Sequence, residues 1–206
     1  MNASCDLPRF ILKWEKSEVS MAFRRLPPEP TKEAPRPGRF RMGDFGEYHD
    51  EEPREWVELT QPYWLAETPV TQAQFALWTG SCGIKHENHF GGDPTHRTHP
   101  AENMDWRQAV GFCQWLTETQ RAELPKDIEF ATLPTEAEWE CACRAGTQTE
   151  YGVGDGEAAL SQVGWFGPNS ERSTQAVRTK DPNSFGLYDM HGNVDEWVYD
   201  LWDEDA

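Results

Sequence analysis

Asn183–Ser184–Phe185–Gly186–Leu187–Tyr188–Asp189–Met190–His191–Gly192–Asn193–Val194–Asp195–Glu196–Trp197, close to the C-terminus, is the stretch whose reading decides the fold. Carboxylates and amides alternate there with glycines and with core-type aromatics. An oxygen-rich loop for a hard cation is built this way, because such ions take several carboxylate and carbonyl oxygens at once. Upstream stands Leu133–Pro134–Thr135–Glu136–Ala137–Glu138–Trp139–Glu140. Its Thr135 and Glu138 form a capping box, which predicts a helix whose apolar positions include Trp139, Ala142 and Cys143.

Two more helices follow from the same signal. Thr71 with Gln74 precedes Phe75 and Trp78. Asp105 with Gln108 precedes the stripe Trp106, Ala109, Val110, Cys113 and Leu116. In each pair the cap side chain satisfies a free N–H of the first turn while the residue three on reaches back. Gly80 and Gly146 stand where C-terminal stops are expected. Strands are predicted at Arg39–Met42, Trp56–Leu59 and Tyr63–Ala66, with short strand-like pieces at 163–166, 176–178 and 186–188 in a stretch that is otherwise loop. Residues 1–26 read as a short strand or an arm. Leu26–Gly38 is a proline-rich connector.

Composition narrows the function. The chain has 206 residues, ten tryptophans, ten phenylalanines, 15 prolines and 16 glycines, a profile of many turns held by large apolar rings. A formal charge of −17 repels phosphate backbones and anionic lipid, so neither nucleic acid nor membrane is an expected partner. Phe10–Ile11–Leu12 is cut off by Lys13, so the N-terminus lacks the apolar centre of a secretory leader. Cys5, Cys82, Cys113, Cys141 and Cys143 form an odd set without metal-type spacing, and a cytoplasmic protein with reduced thiols is the expectation. His86, His89, His96 and His99 lie in a stretch broken by Gly91, Gly92, Pro94 and Pro100, which favours loop histidines over a metal site. Glu136, Glu138 and Glu140 diverge around their helix, and Glu138 already has work as a cap partner, so they are not paired catalytic carboxylates.

Taken in order, Phe40–Arg41–Met42–Gly43, Glu67–Thr68–Pro69–Val70–Thr71–Gln72–Ala73–Gln74–Phe75, His99–Pro100–Ala101–Glu102–Asn103–Met104–Asp105–Trp106, the Leu133–Glu140 block and the Asn183–Trp197 block resemble the formylglycine-generating enzyme (sulfatase-modifying factor) family. The resemblance implies an α+β, C-type-lectin-like fold with few short strands, about three helices and much irregular loop. It divides the chain into an N-terminal extension and connector at 1–38 and the family domain at 39–206, C-terminally incomplete. Within the closing block it implies a structural calcium site, with Asp189 and Glu196 giving carboxylate oxygens and Gly192 and Val194 giving backbone carbonyls. The competing reading is that these carboxylates merely accept backbone hydrogen bonds in a tight loop. Asn193 reads as a turn former. A second calcium site has no matching residues around Ser161 and Arg178.

Two departures shape the functional expectation. Asp195 stands where the family usually has tryptophan, which suggests a more exposed or re-used position. The family's arginine- and glycine-rich strand and copper(I)-binding cysteine pair have no counterpart in these 206 residues, and Cys113, Cys141 and Cys143 do not match its catalytic positions. The expectation is a non-catalytic, protein-interaction or ligand-binding module, with a protein partner covering the incomplete C-terminal edge. The alternative is part of a copper-dependent oxidase that converts a sulfatase cysteine to formylglycine, copper entering only with the missing segment. A weaker resemblance, to ergothioneine-pathway sulfoxide synthases, lacks the partner domain and the histidine cluster.

Overall fold

The computed structural model describes residues 7–15, 17–29, 36–43, 55–88 and 94–201. The segment read as a strand or an arm folds as a hairpin. β1 (Arg9–Lys13) pairs antiparallel with β2 (Ser20–Leu26), setting Phe10 opposite Phe23 and Leu12 opposite Met21. The alternation of β2 buries Met21 and Phe23 on one face. Three strands with an apolar face make a sheet that can persist, and the third is β5 (Tyr63–Ala66), antiparallel to the free edge of β2. A second ribbon joins β3 (Arg39–Met42) to β4 (Glu55–Glu58), with Phe40 buried and the Arg39 guanidinium 4.5 Å above the Trp56 ring.

All three predicted helices form, and each begins at its capping box. In α1 (Gln72–Cys82) the Gln74 N–H donates to Thr71 Oγ1 at 3.3 Å and the Thr71 N–H to Gln74 Oε1 at 2.8 Å. α2 (Trp106–Gln120) is capped by Asp105 and Gln108, and α3 (Glu136–Arg144) by Thr135 and Glu138, with both reciprocal bonds present in each. The expected stop at Gly80 is corrected. Gly80 lies on the exposed face of α1 with open space around it, and the helix ends instead at Gly83, in the left-handed region at φ 65°. α3 stops as expected, with Ala145 at φ 46° followed by Gly146 at φ 82°.

A fourth helix, α4 (Gly156–Val163), was not expected. Its N-cap Asp155 makes no side-chain cap bond and its first residue is glycine, so no capping box marks its start. α4 runs into β6 (Gly164–Trp165), which pairs parallel with β7 (His191–Gly192). Residues 176–178 and 186–188 are not strands. Backbone bonds tie them instead, from Val177 N–H to Thr98 C=O and from Tyr188 N–H to Glu67 C=O. Pro94–Thr98 is one 3₁₀ segment, and His89 lies outside the described residues.

The interior is three adjoining clusters. Leu7, Leu26, Ala142, Phe185, Leu187 and Met190 join β2, α3 and the closing loop. Leu12, Met21, Phe23 and Leu116 join the hairpin to α2. Phe75, Trp78, Ala101 and Phe112 join α1 to α2. Phe75, Leu12, Leu26 and Leu187 are among the largest fully buried side chains, each worth about 1.5–3 kcal/mol relative to exposure.

Candidate functional site

The closing loop is positioned by Asn183, which is 7% exposed. Its amide nitrogen donates to the carbonyls of Ala142 (2.8 Å) and Cys143 (3.3 Å), while its oxygen accepts from the N–H groups of Phe185 (3.0 Å) and Leu187 (3.2 Å). Carbonyls at a helix C-terminus lack intrahelical partners, so this one side chain satisfies the end of α3 and folds the loop onto it. Asp189 follows in the left-handed region at φ 58°. Its Oδ2 accepts from the Arg178 backbone N–H (2.9 Å) and its Oδ1 from the Asn193 amide (3.3 Å). Asn193 does what the sequence predicted. It turns the chain at φ 69° and brackets Gln175, accepting from its N–H at 2.9 Å and donating to its carbonyl at 3.1 Å.

Gly192 is required for two reasons. Its φ is +88°, and a Cβ there would meet the Trp165 carbonyl oxygen at 2.2 Å. The close β6–β7 approach therefore fixes the residue whatever its carbonyl binds. Glu196 Oε2 accepts from the Trp139 indole N–H at 3.2 Å, linking the closing loop to α3. Glu196 as a residue is exposed where it lines a cavity, with protein atoms packed around its carboxyl. Burial pushes its carboxyl up to about 7 against the Trp139 hydrogen bond, and the charge of Asp189 adds to the rise. Asp189 is raised by burial too, held back by the Arg178 N–H and the Asn193 amide.

Two mutually repelling carboxylates, with no cationic side chain among the described residues bonded to either, suit a divalent cation in their donor chemistry. Each Asp189 oxygen keeps a second lone pair beyond its one bond. Among the described residues no three His, Cys, Asp or Glu side chains gather for a metal. The remaining ligands would have to be backbone carbonyls, as expected for Gly192 and Val194.

Beside the hairpin opens a cavity of about 1500 Å³, with Phe130, Phe166, Met190, Val194, Glu196 and Trp197 in its wall. Trp197, expected in the core, is 49% exposed on this wall, its indole N–H donating to the Met104 carbonyl at 3.1 Å. Phe130 is 62% exposed. Asp195 is exposed, as its chemistry predicted. The charged residues of the wall are mostly acidic, Glu102, Asp127, Glu129, Asp195 and Glu196 among them, against the single guanidinium of Arg172.

The described thiols are all free, and three are sequestered. Burial pushes Cys113 up to about 12, Cys141 up to about 11 and Cys143 up to about 12. Cys141 and Cys143 diverge around α3, Cys141 toward Tyr63 and Cys143 onto the Met190 carbonyl, 3.4 Å away. Cys5 lies outside the described residues. Sequence reasoning missed the cavity and a knot of three arginines on Glu67, because their parts come from segments far apart in the chain.

Comparison with known proteins agrees with this architecture. The family described as the Sulfatase-modifying factor enzyme 1-like domain matches residues 24–206. The formylglycine-generating enzyme of Mycobacterium tuberculosis is 30% identical over 213 residues, covering 78% of this chain and 71% of that protein. The serine/threonine-protein kinase pkn1 of Chlamydia pneumoniae is 29% identical over 187 residues, covering 82% of this chain. This chain spans only 27% of that kinase's length. Among solved structures, Treponema denticola variable protein 1 superposes with a TM-score of 0.75 at 27% identity, over 94% of this chain and 77% of that one. By sequence and by fold, the chain belongs to the sulfatase-modifying factor enzyme 1-like family.

Proposed function

We propose that this domain is a non-catalytic binding module, which takes an apolar, basic-flanked segment of a protein partner into the cavity beside a calcium-holding closing loop. The observation that carries the reading is the cavity. At about 1500 Å³ it exceeds the usual range for a small-molecule pocket, and its aromatic wall is open to solvent. Exposed Trp and Phe beside an apolar floor are what a partner's side chains bury against. The acidic rim complements Lys and Arg and disfavours acidic competitors.

Three of the four described thiols support a non-catalytic role; Cys82 is free and exposed. The thiolate is the nucleophile and the soft-metal ligand, and Cys113, Cys141 and Cys143 are held protonated at neutral pH. A reducing, cytoplasmic setting fits the free thiols. Calcium in the closing loop, held by Asp189 and Glu196 with the carbonyls of Gly192 and Val194, would neutralise the carboxylate pair and stiffen the cavity wall that carries Glu196. No helix among the described residues is long and apolar enough to cross a membrane.

The test is incubation of the purified chain with copper(I), oxygen and a cysteine-containing sulfatase peptide. Mass spectrometry is expected to find no aldehyde, and turnover by this polypeptide alone would overturn the reading in favour of the oxidase alternative. In parallel, a peptide library of apolar cores with basic flanks should yield saturable binders that quench Trp197 fluorescence. Indifference of Trp197→Ala to those binders would remove the cavity from the proposal.

A further inference from the structure

Glu67 is 1% exposed, and three guanidinium groups converge on it. Arg9 grips both oxygens, with Nε 2.5 Å from Oε1 and Nη2 3.1 Å from Oε2. Arg178 donates from Nη1 to Oε2 at 2.9 Å. Arg24 Nε stands 2.6 Å from Oε1, but its N–H is not aligned on that oxygen and has no other acceptor. One carboxylate offsets one of these charges and leaves two. Next to the knot lies a basin of about 380 Å³, between the β1–β2 hairpin, the start of α1, the 94–98 turn and Val177–Arg178. Arg97 faces it and makes no ion pair among the described residues. Among the residues lining the basin, Arg9, Arg97 and Arg178 stand against Glu67 and Glu18. This surplus of cations sits in a chain of net charge −17.

Bracing the hairpin does not require the surplus. A single bidentate arginine already neutralises a buried carboxylate, and Arg9 supplies one. What the extra arginines add is unspent N–H donors on forks that Glu67 holds in place. Arg9 and Arg178 side chains remain 36% and 42% exposed, open to a ligand from solvent. Fixed guanidinium forks match the oxygens of carboxylate, sulfate and phosphate groups, and little ordering entropy remains to be lost on binding. The hydroxyl-bearing residues Ser20, Thr71 and Thr98 line the same basin.

We infer that this basin is an oxyanion-binding site, in which Arg97, together with Arg9 and Arg178 held by Glu67, receives the phosphoryl, sulfate or carboxylate group of a small ligand. The basin and the acidic cavity share no charged residue, so the site is independent of partner docking.

The test titrates the full chain with inorganic phosphate, sulfate or acetate at ionic strength held constant with chloride, following the melting temperature and, for phosphate, the ³¹P line width. At least one oxyanion is expected to give a saturable rise over chloride, and the identity of that anion distinguishes the ligand classes. Arg97→Gln has no ion pair to lose, so its melting temperature without ligand should match the wild type while the saturation midpoint rises about tenfold or more, the loss of one charge-assisted contact. Arg178→Lys keeps the charge but not the fork and should also raise the midpoint. No effect of any oxyanion beyond chloride, or an Arg97→Gln midpoint within about twofold of wild type, would overturn the inference.

Discussion

Asn183→Ala removes the side chain that joins α3 to the closing loop. Four hydrogen bonds go with it, leaving the carbonyls of Ala142 and Cys143 and the N–H groups of Phe185 and Leu187 without that partner. Each ordinary hydrogen bond is worth about 0.5–1.5 kcal/mol net, and more when a group is left buried and unsatisfied. Water entering the vacated space can recover part of this, so the expected loss is about 3 kcal/mol. For a domain of this size that corresponds to a drop of about 6–12 °C in melting temperature. Urea unfolding followed by tryptophan fluorescence measures the first quantity and calorimetry the second. Asn183→Asp separates donors from acceptors, because the carboxylate still accepts from Phe185 and Leu187 but gives nothing to the helix end and adds a buried charge. It is expected to lose at least as much as the alanine variant. A loss below about 1 kcal/mol for Asn183→Ala would refute the claim that this side chain holds the loop.

Glu67→Gln strips three guanidinium groups of their shared counter-ion and should cost about 3 kcal/mol by chemical denaturation, the low end for severing a buried pair because two of the arginines are partly solvated. Burial alone would raise the Glu67 carboxyl, but the Arg9 hydrogen bond and the charges of Arg24, Arg9 and Arg178 hold it below its ordinary value. Its stabilisation is therefore present above that value and lost as pH falls through the depressed one, and Glu67→Gln should flatten this acid limb. Glu196 acts in the opposite sense. Its carboxyl is raised from 4.5 to about 7, so without metal its contribution is full below 4.5 and lost as pH rises toward about 7. Glu196→Gln should remove that slope from a melting-temperature profile, and millimolar calcium should raise the wild-type melting temperature most at or above pH 7. Thr135→Ala deletes the cap of α3 and should cost about 1 kcal/mol, read as a melting-temperature drop of about 2–4 °C.

How much of this was legible depends on the range of the interactions. Thr71, Asp105 and Thr135 announce their helices because a capping box is closed within four residues, and all three formed. The stop at Gly80 misled because an exposed glycine costs a helix only a fraction of its stability, whereas Gly83 occupies the left-handed cap. α4 gave no warning, since its register is set by Ala159 and Val163 meeting the core rather than by any cap. The hairpin of residues 9–26 became part of the main sheet only through β5, about forty residues away. Glu67 carries no local signal of its role, because Arg9 is 58 positions before it and Arg178 is 111 after it. Asp189 and Glu196 stood out by type and spacing. The burial of Asp189, and the Trp139 bond that ties Glu196 to α3, required the folded chain. Trp197 was misjudged because an indole suits a core and a cavity wall equally well.

The two ends of the sequence close one interior. Leu7 and Met190 belong to the same cluster, the Trp106 indole N–H reaches the Val198 carbonyl, and the Glu136 N–H donates to Asp200. During synthesis the first strands therefore leave the ribosome long before the residues that cover them exist. Such late-closing topologies fold slowly and pass through sticky partial states. Premature termination even slightly upstream of Asn183 would yield a product open on the apolar seam between β2, α3 and the closing loop, a substrate for chaperones rather than a smaller working protein.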